Sequence, residues 1–298
     1  MAQYTVRHGQ NLFDIVLTCY GDLNGLGDFI ILNPTVNYNS KFNDGDVVNY
    51  DETKVISQVT ANYYSKNRII PTSGNDYIYY KDHSYEHLFS IYVSQDVVNL
   101  IIGLSGSGVI QIDWGDNSQL QTIQLSQEVQ TISHDSNSYL DTSRRIRVYG
   151  DADFYTINLS RINVEKIFSV SDFKCLTLIV NDNKIIPNIK FTKIIRELNK
   201  VDFSRTIIGD LSPLLYNQEL REIYLENCYI NQSIIDEYVI GIVKNYQSRL
   251  LAEVWMKGND LPSGIYQAPA VLSDPQTGME AVWVLENDED RGWVFHFD

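Results

Sequence analysis

The sequence predicts a multi-domain α+β protein in which β-structure predominates, and three patterns of apolar residues support this prediction. Within residues 1–52, apolar side chains recur at helical spacing between two strand-like stretches. Within 91–150, short apolar stretches alternate with clusters of Gly, Asp, Asn and Ser, which is typical of a small β-sandwich. Within 151–262, one apolar pattern occurs repeatedly, which indicates a solenoid. We expect five segments: 1–52, 53–90, 91–150, 151–262 and 263–298.

The first segment is predicted to fold in the order strand, helix, helix, strand. Asn11 suits a helix N-cap because its side chain accepts hydrogen bonds from the first free backbone amides of a helix. Apolar residues follow it at helical spacing, and Gly21 suits the helix end. The second helix is expected to end before Asn33-Pro34, because the residue before proline disfavours the helical conformation. The predicted elements are Tyr4–Val6, Leu12–Cys19, 23–32 and 47–50.

Short motifs along this segment match one known family: Tyr4-Thr5-Val6, Gly9-Gln10-Asn11-Leu12, Ile15, Tyr20-Gly21, Leu32-Asn33-Pro34 and Gly45-Asp46. On these residues the segment resembles LysM modules, which implies binding of N-acetylglucosamine-containing glycans through the loops 7–11 and 33–39. The family usually has Asp-Thr where this chain has Asn11-Leu12. This variant is more similar to the LysM-like modules of phage tail and baseplate proteins, which act as assembly joints. The residues offered for glycan binding or docking are Arg7, His8, Gly9, Gln10, Asn33, Asn37 and Tyr38.

Residues 53–90 are rich in Tyr, Asn, Ser and Thr, as in Asn62-Tyr63-Tyr64 and Tyr77-Ile78-Tyr79-Tyr80. So many aromatic residues are not typical of a flexible linker. Pro71–Gly74 indicates a turn or boundary. We therefore expect a connector whose short strands pack on a neighbouring module.

Residues 91–150 contain candidate strands separated by turn residues. The motif Ile112-Asp113-Trp114-Gly115-Asp116-Asn117-Ser118 resembles the hallmark of PKD-type immunoglobulin-like domains. That resemblance implies structural roles: Trp114 anchors the core, while Asp113, Gly115 and Asp116 shape the hairpin. The candidate strands are Ile91–Val93, Val97–Leu104, Val109–Trp114, Thr122–Leu125, Val129–Ser133 and Arg145–Tyr149.

Residues 151–262 repeat the pattern apolar, two spacers, apolar, one spacer, apolar, at offsets of 21, 23, 22 and 31 residues. This resembles a leucine-rich-repeat solenoid, in which each unit contributes one strand to a parallel sheet. The long offset is explained by an inserted helix, because apolar residues recur at helical spacing between Ser233 and Ser248. Asn183, Asn227 and Asn259 suggest part of the family's asparagine ladder. The repeats begin at Phe154, Cys175, Leu198, Leu220 and Leu251.

The tail, residues 263–298, is predicted to end in a β-hairpin. Ala281–Leu285 and Trp293–Phe297 are two apolar stretches on either side of an acidic turn, Asn287–Gly292. Such a hairpin would cap the open end of the solenoid or dock on another subunit.

No motif predicts catalysis, a metal or a cofactor. His83-Ser84-Tyr85-Glu86-His87 has metallopeptidase spacing, but that chemistry needs both imidazoles on one helical face. Its surroundings suggest a strand, where positions four apart are separated by about 13 Å. Asp113 and Asp116 could serve glycoside hydrolysis or hold calcium, yet hairpin geometry explains them. We expect a non-enzymatic protein.

Composition and charge restrict the expected partners. The chain has 44% hydrophobic and 20% charged residues, which is normal for a soluble globular protein. Its net charge of −15 repels phosphate backbones, so we do not expect nucleic-acid binding. No apolar run approaches the ~20 residues of a membrane span. The sparse cysteines, Cys19, Cys175 and Cys228, are expected to be buried free thiols.

These observations predict a structural protein of a phage tail or baseplate, located in the virion, because binding modules occur without a secretion signal. The expected partners are other virion proteins and further copies of the chain in rotational symmetry. The alternative is a peptidoglycan- or GlcNAc-glycan-binding protein that uses the LysM-like module. A third hypothesis is a LysM-targeted lytic enzyme. Exposed aromatic residues, including Trp255, are candidates for a sugar-stacking or protein-docking face.

Overall fold

The computed structural model describes residues 1–7, 9–38, 40–67, 81–94, 97–116, 118–136, 143–160, 162–183, 188–245, 251–288 and 292–298. The chain is mixed α and β, with 25% helix and 32% strand, which confirms that β-structure predominates. It divides into two compact units. The first comprises residues 1–81 with 116–119, and the second comprises most of the chain from residue 82 onward.

The first unit contains a small helical core on a two-stranded antiparallel sheet. Its elements are β1 (Ala2–Thr5), α1 (Leu12–Tyr20), a 3-10 helix (Leu23–Gly25), α2 (Leu26–Leu32), β2 (Val47–Tyr50), a second 3-10 helix (Glu52–Lys54) and α3 (Gln58–Asn67). In the sheet, Ala2 lies opposite Tyr50 and Thr5 lies opposite Val47. The core consists of Val6, Leu12, Ile15, Val16, Cys19, Tyr20, Phe29 and Val48.

Helix α1 begins and ends where the local sequence predicts. The Asn11 side chain accepts hydrogen bonds from the amides of Phe13 and Asp14, and the Asp14 carboxylate accepts one from the Asn11 amide in return. Gly21 ends the helix in the left-handed conformation, with φ of 70°. A Cβ atom at Gly21 would lie 1.9 Å from the Ser57 carbonyl oxygen, so the first turn of α3 also requires glycine there.

The expected connector, residues 53–90, is corrected in part. Residues 58–67 form helix α3 rather than a strand, because Ser57 accepts a hydrogen bond from the Thr60 amide and Ala61 is buried. Tyr63 remains exposed, so the aromatic residues do not indicate a strand here. Pro71–Gly74 and Tyr77–Tyr80 lie outside the described residues.

The second unit is built on one extended hydrogen-bonded sheet. Its helices are α4 (Gln232–Asn245), α5 (Gly278–Asn287) and two 3-10 helices (Lys190–Ile194 and Ser212–Tyr216). Its strands are β3 (His87–Val93), β4 (Asn99–Asp113), β5 (Gln121–Gln124), β6 (Gln130–Asp135), β7 (Arg144–Asn158), β8 (Val164–Ser169), β9 (Phe173–Ile179), β10 (Ile195–Arg196), β11 (Lys200–Asp202), β12 (Glu222–Tyr224), β13 (Glu253–Trp255) and β14 (Val294–His296).

Strand β7 joins the antiparallel and parallel parts of this sheet. It pairs antiparallel with β4 along one side, and on the other side with β3 and then, in parallel, with β9. The boundary expected at residue 150 therefore lies inside β7, and the described strands of 91–150 belong to the same hydrogen-bonded sheet as the repeat strands. Glycine is required at position 150 of β7 because a Cβ atom there would lie 2.9 Å from Ile110 Cγ2.

The repeats stack as consecutive parallel strands. The central apolar residue of each repeat lies opposite that of the next, and Phe295 of β14 adds a sixth position that the repeat pattern did not include. Helix α4 lies in the segment predicted to be helical. The stacked residues are Ile157, Leu178, Val201, Ile223, Val254 and Phe295.

The ladder of polar residues differs from the predicted asparagines. Asn183 and Asn259 hydrogen-bond backbone groups of neighbouring turns, as expected of ladder residues. Asn227 does not belong to the ladder, because it is exposed and left-handed with φ of 54°. Thr206 and Cys228 occupy the equivalent positions and donate to the carbonyls of the preceding turns. The ladder of this chain is therefore built from Asn, Thr and Cys side chains.

The tail is also corrected, since residues 278–287 form helix α5 and not the first strand of a hairpin. Thr277 caps this helix by accepting a hydrogen bond from the Glu280 amide at 3.3 Å. The buried residues Ala281 and Leu285 recur at helical spacing, so the apolar stretch belongs to a helix face. Strand β14 then runs parallel to β13 as the last strand of the stack.

Among the described residues, no single helix is long and apolar enough to cross a membrane. The bent pair Leu12–Tyr20 and Leu23–Leu32 reaches that length and composition only when both helices are counted together.

The three cysteines are buried free thiols, as the sequence predicted. Burial raises the pKa of each thiol to about 12, so the reactive thiolate is scarce at neutral pH. We expect iodoacetamide at pH 8 to label the native protein far more slowly than the protein in denaturant. Mass spectrometry checks this, and rapid native labelling of Cys175 would contradict its complete burial.

Candidate functional site

The predicted glycan loops of the first unit are largely held by internal hydrogen bonds. Gln10 accepts from the Tyr4 hydroxyl and the Arg7 amide, both at 2.9 Å, and donates to Thr18 Oγ1 at 3.3 Å. The Arg7 guanidinium donates to the Ser65 carbonyl, and Gly9 supplies a left-handed turn with φ of 77°. Gln10 therefore shapes the loop. His8 lies outside the described residues.

The second predicted loop separates into a structural end and an exposed end. Asn33 is buried; its Nδ2 donates to the carbonyls of Phe29 and Asn49, and its Oδ1 accepts from the Asn49 amide. This side chain ties α2 to β2. Asn37 and Tyr38 are exposed, and Tyr38 has 67% of its surface accessible. Within the predicted set, these two residues are the ones whose side chains are exposed.

Three residues of the Ile112–Ser118 motif, Asp113, Trp114 and Gly115, have structural roles: they are buried and contact neighbouring strands. Trp114 is fully buried, donates to Gln121 Oε1 at 2.7 Å and stacks on His134 at a ring distance of 5.0 Å. Asp113 accepts from the Gly115 amide and pairs with Arg147 at 3.1 Å. A Cβ atom at Gly115 would lie 2.3 Å from the Arg145 carbonyl oxygen.

The fifth residue of this motif, Asp116, closes the turn that follows. Its carboxylate accepts hydrogen bonds from the Ser118 amide and hydroxyl, and its carbonyl accepts one from Lys81 Nζ at 2.8 Å.

The His83–His87 motif does not gather metal ligands. Both imidazoles pack on the Tyr149 ring, at 4.0 Å for His83 and 4.9 Å for His87. His87 Nε2 lies 3.0 Å from Ser90 Oγ, and burial together with the charge of Arg145 lowers the pKa of His87. Within the described part of the chain, no group of three or more His, Cys, Asp or Glu side chains is arranged to hold a metal ion.

The strongest candidate site is the solvent-facing side of the parallel strands β11 to β14, which we call the ladder face. It consists of the residues on either side of the buried central position of each strand. Because consecutive strands are in register, these side chains form two rows across the sheet. The first row contains Lys200, Glu222, Glu253 and Val294, and the second contains Asp202, Tyr224, Trp255 and His296.

The second row contains a continuous stack of rings. Tyr224 and Trp255 lie 4.1 Å apart with an interplanar angle of 3°, and Trp255 and His296 lie 5.2 Å apart at 16°. Lys200 Nζ is 4.5 Å from the centre of the Tyr224 ring, which adds a cation–π contact at the end of the stack. Both faces of Trp255 are therefore covered by neighbouring rings, so a sugar ring has no free indole face on which to stack.

Charged groups hold the ladder face in one arrangement. Glu222 accepts hydrogen bonds from Lys200 Nζ at 2.7 Å and from the Tyr224 hydroxyl at 3.1 Å. The hydrogen bond from Lys200 lowers the pKa of Glu222, so this carboxylate stays ionised at neutral pH. Glu253 lies 2.8 Å from His296 Nε2. The result is an ordered, half-exposed surface of aromatic rings and carboxylates.

Of the residues on this surface, the sequence alone predicts a docking or stacking role only for Trp255. The missing signal lies in the repeat alignment, because Tyr224 and Trp255 each follow the central apolar residue of their repeat. His296 occupies the equivalent position after Phe295, whose strand was assigned to a hairpin. Comparison with protein-family models, curated proteins and solved structures found no match.

Proposed function

We propose that this chain is a non-enzymatic structural protein of a bacteriophage tail or baseplate, and that the ladder face docks on a neighbouring virion protein. The observation that carries the proposal is the ring stack itself. Its side chains are already ordered by mutual contact, so docking costs little side-chain entropy. Tyr and Trp are also the residues that most often dominate protein interfaces.

The charges of the ladder face favour a basic partner surface. It presents three carboxylates, from Asp202, Glu222 and Glu253, against the single ammonium group of Lys200. Complementary charges speed association and exclude wrong partners more than they add affinity. We therefore infer a partner segment that carries Lys or Arg beside apolar residues, which can cover the exposed ring edges.

In this proposal the LysM-like first unit is an assembly joint. Support comes from Gln10 and Asn33, whose polar atoms serve the fold rather than a ligand. The replacement of the family's usual Asp-Thr pair by Asn11-Leu12 also supports an assembly role, since Asn11 caps α1 and Leu12 is buried in the core.

The docking prediction is tested with Trp255→Ala. Removing the central ring breaks the stack, so we expect the variant's incorporation into phage particles, measured by quantitative mass spectrometry, to fall about tenfold or more. Tyr229→Ala is the matched control, because Tyr229 is 76% exposed on the loop after β12. The comparison is valid when the Trp255→Ala and Tyr229→Ala variants have the same melting temperature. Unchanged incorporation of Trp255→Ala would overturn docking through this face, and absence of the wild-type chain from particles would overturn the virion assignment.

The alternative function is glycan recognition by the first unit, which is favoured by the exposed Asn37 and Tyr38. Titration calorimetry with GlcNAc oligomers and soluble peptidoglycan fragments decides between the two. The assembly proposal expects no binding heat. Micromolar binding that Tyr38→Ala abolishes, while Trp255→Ala leaves it unchanged, would replace the assembly proposal with wall recognition.

A further inference from the structure

The two edge strands of the sheet in the second unit, β14 and β8, differ in how their outward backbone groups are bonded. At the β14 end, Val294 and His296 direct their backbone groups toward β13, as shown by bonds of 2.9 Å to the Ala252 carbonyl and 2.8 Å from the Met256 amide. Phe295 therefore points its amide outward, where Glu286 Oε1 of helix α5 accepts it at 3.0 Å. This edge is covered, which is a common protection against unwanted strand pairing.

At the other end, β8 lacks such protection within the described residues. The Val170 amide bonds to the Leu88 carbonyl, toward β3. Because backbone direction alternates along a strand, Ile167 and Ser169 turn their amides and carbonyls away from β3. No partner for these outward backbone groups is found in the described part of the chain. As far as the described residues show, the β8 edge is therefore an open template for another strand.

An apolar groove runs beside this open edge. It has a volume of about 370 Å³ and lies between β8 and the 3-10 helix Lys190–Ile194. Ile167 and Phe191 line it, and two other lining residues, Phe168 and Ile194, are 52% and 40% exposed. Val170, just beyond the strand, is 53% exposed. Exposed apolar groups beside an unpaired strand favour strand addition, where side chains of the new strand enter the groove.

The charge of this edge is opposite to that of the whole chain. The chain carries a net charge of −15, yet Lys166 and Lys190 line the groove against one carboxylate, Glu165. Arg145 adds a further positive charge nearby, since its guanidinium lies 5.6 Å from the Tyr92 ring, which in turn packs on Phe168. A second copy that meets this edge avoids most of the chain's excess negative charge, but it brings the same lysines, so the pairing must keep their ammonium groups apart.

We propose that β8 pairs antiparallel with β8 of a second copy, across a two-fold axis at Ile167. This register places Ile167 on the axis and Glu165 of each copy opposite Ser169 of the second copy. It places Lys166 of each copy opposite Phe168 of the second copy, so that each ammonium group covers an exposed ring. A register centred on Lys166 would instead oppose two ammonium groups. The pairing shares no residue with the ladder face, so either proposal can fail without the other.

The experiment measures the mass of the full chain by sedimentation equilibrium as its concentration is varied. A single edge strand buries less than the ~1,600 Å² of a standard interface, so we expect a monomer–dimer equilibrium of about micromolar strength. Phe168→Lys places like charges opposite each other across the axis and should give a monomer. Adding Lys166→Asp to that variant restores opposite charges and should restore the dimer.

Tyr229→Lys is the control, because it makes the same kind of change at an exposed aromatic residue away from β8. It should dimerise like the wild type, and circular dichroism should show that every variant is folded. A monomeric wild type, a dimer insensitive to Phe168→Lys, or a double variant that stays monomeric would each overturn the proposed pairing.

Discussion

Replacing Asn259 with alanine is expected to lower the free energy of unfolding of the second unit by roughly 3 kcal/mol, because four hydrogen bonds depend on this side chain. Its Oδ1 accepts from the amides of Cys228 and Ile230 at 3.1 and 3.0 Å. Its Nδ2 donates to the carbonyls of Leu225 and Met256 at 2.6 and 2.8 Å. All four of these residues are buried, so water cannot easily replace the lost partner.

Asn227→Gly is the matched control for this substitution. Asn227 lies one turn earlier, is exposed and already has φ of 54°, a conformation that glycine adopts without strain. We expect a change within about 0.5 kcal/mol, measured by urea unfolding followed by far-UV circular dichroism. Equal losses of unfolding free energy for the two variants would show that assigning Asn259, and not Asn227, to the ladder of polar residues is wrong.

Replacing Trp114 with alanine should cost roughly 3–5 kcal/mol, which is the usual range for a large buried side chain. Trp114 is fully buried, stacks on His134, and its indole nitrogen is bonded to Gln121 at 2.7 Å. Such a loss is a large fraction of the stability of an ordinary domain. We therefore expect a cooperative transition at markedly lower urea, or an unfolded protein at 37 °C.

Trp114→Phe separates packing from hydrogen bonding. It keeps most of the ring volume but removes the indole donor, so we expect a smaller loss of roughly 1 kcal/mol. Tryptophan fluorescence and circular dichroism measured together will show whether the second unit unfolds as one cooperative body. A small effect of Trp114→Ala would contradict the anchoring role that the resemblance to PKD-type domains implies.

Local signals in the sequence determined several elements of this protein. Helix α1 was predictable because Asn11 and Gly21 act on neighbouring backbone groups, and helix α4 because its apolar residues share one face. The stacking of the repeats was predictable for a similar reason. A parallel strand must place its central apolar residue toward the core, so aligned repeats imply aligned strands.

Only the tertiary structure decided where those elements join. Gly150 lies within β7 because this strand pairs with β4 on both sides of residue 150, and Ile110 of β4 leaves no room for a side chain there. The apolar stretch at 281–285 fits a strand or a helix, and its burial in α5 after the Thr277 cap selected the helix. The ladder face likewise depends on contacts between residues far apart in sequence, since Tyr224, Trp255 and His296 become neighbours only when their strands pair. Local sequence specifies periodicity and caps, whereas pairing partners follow from packing that no single segment encodes.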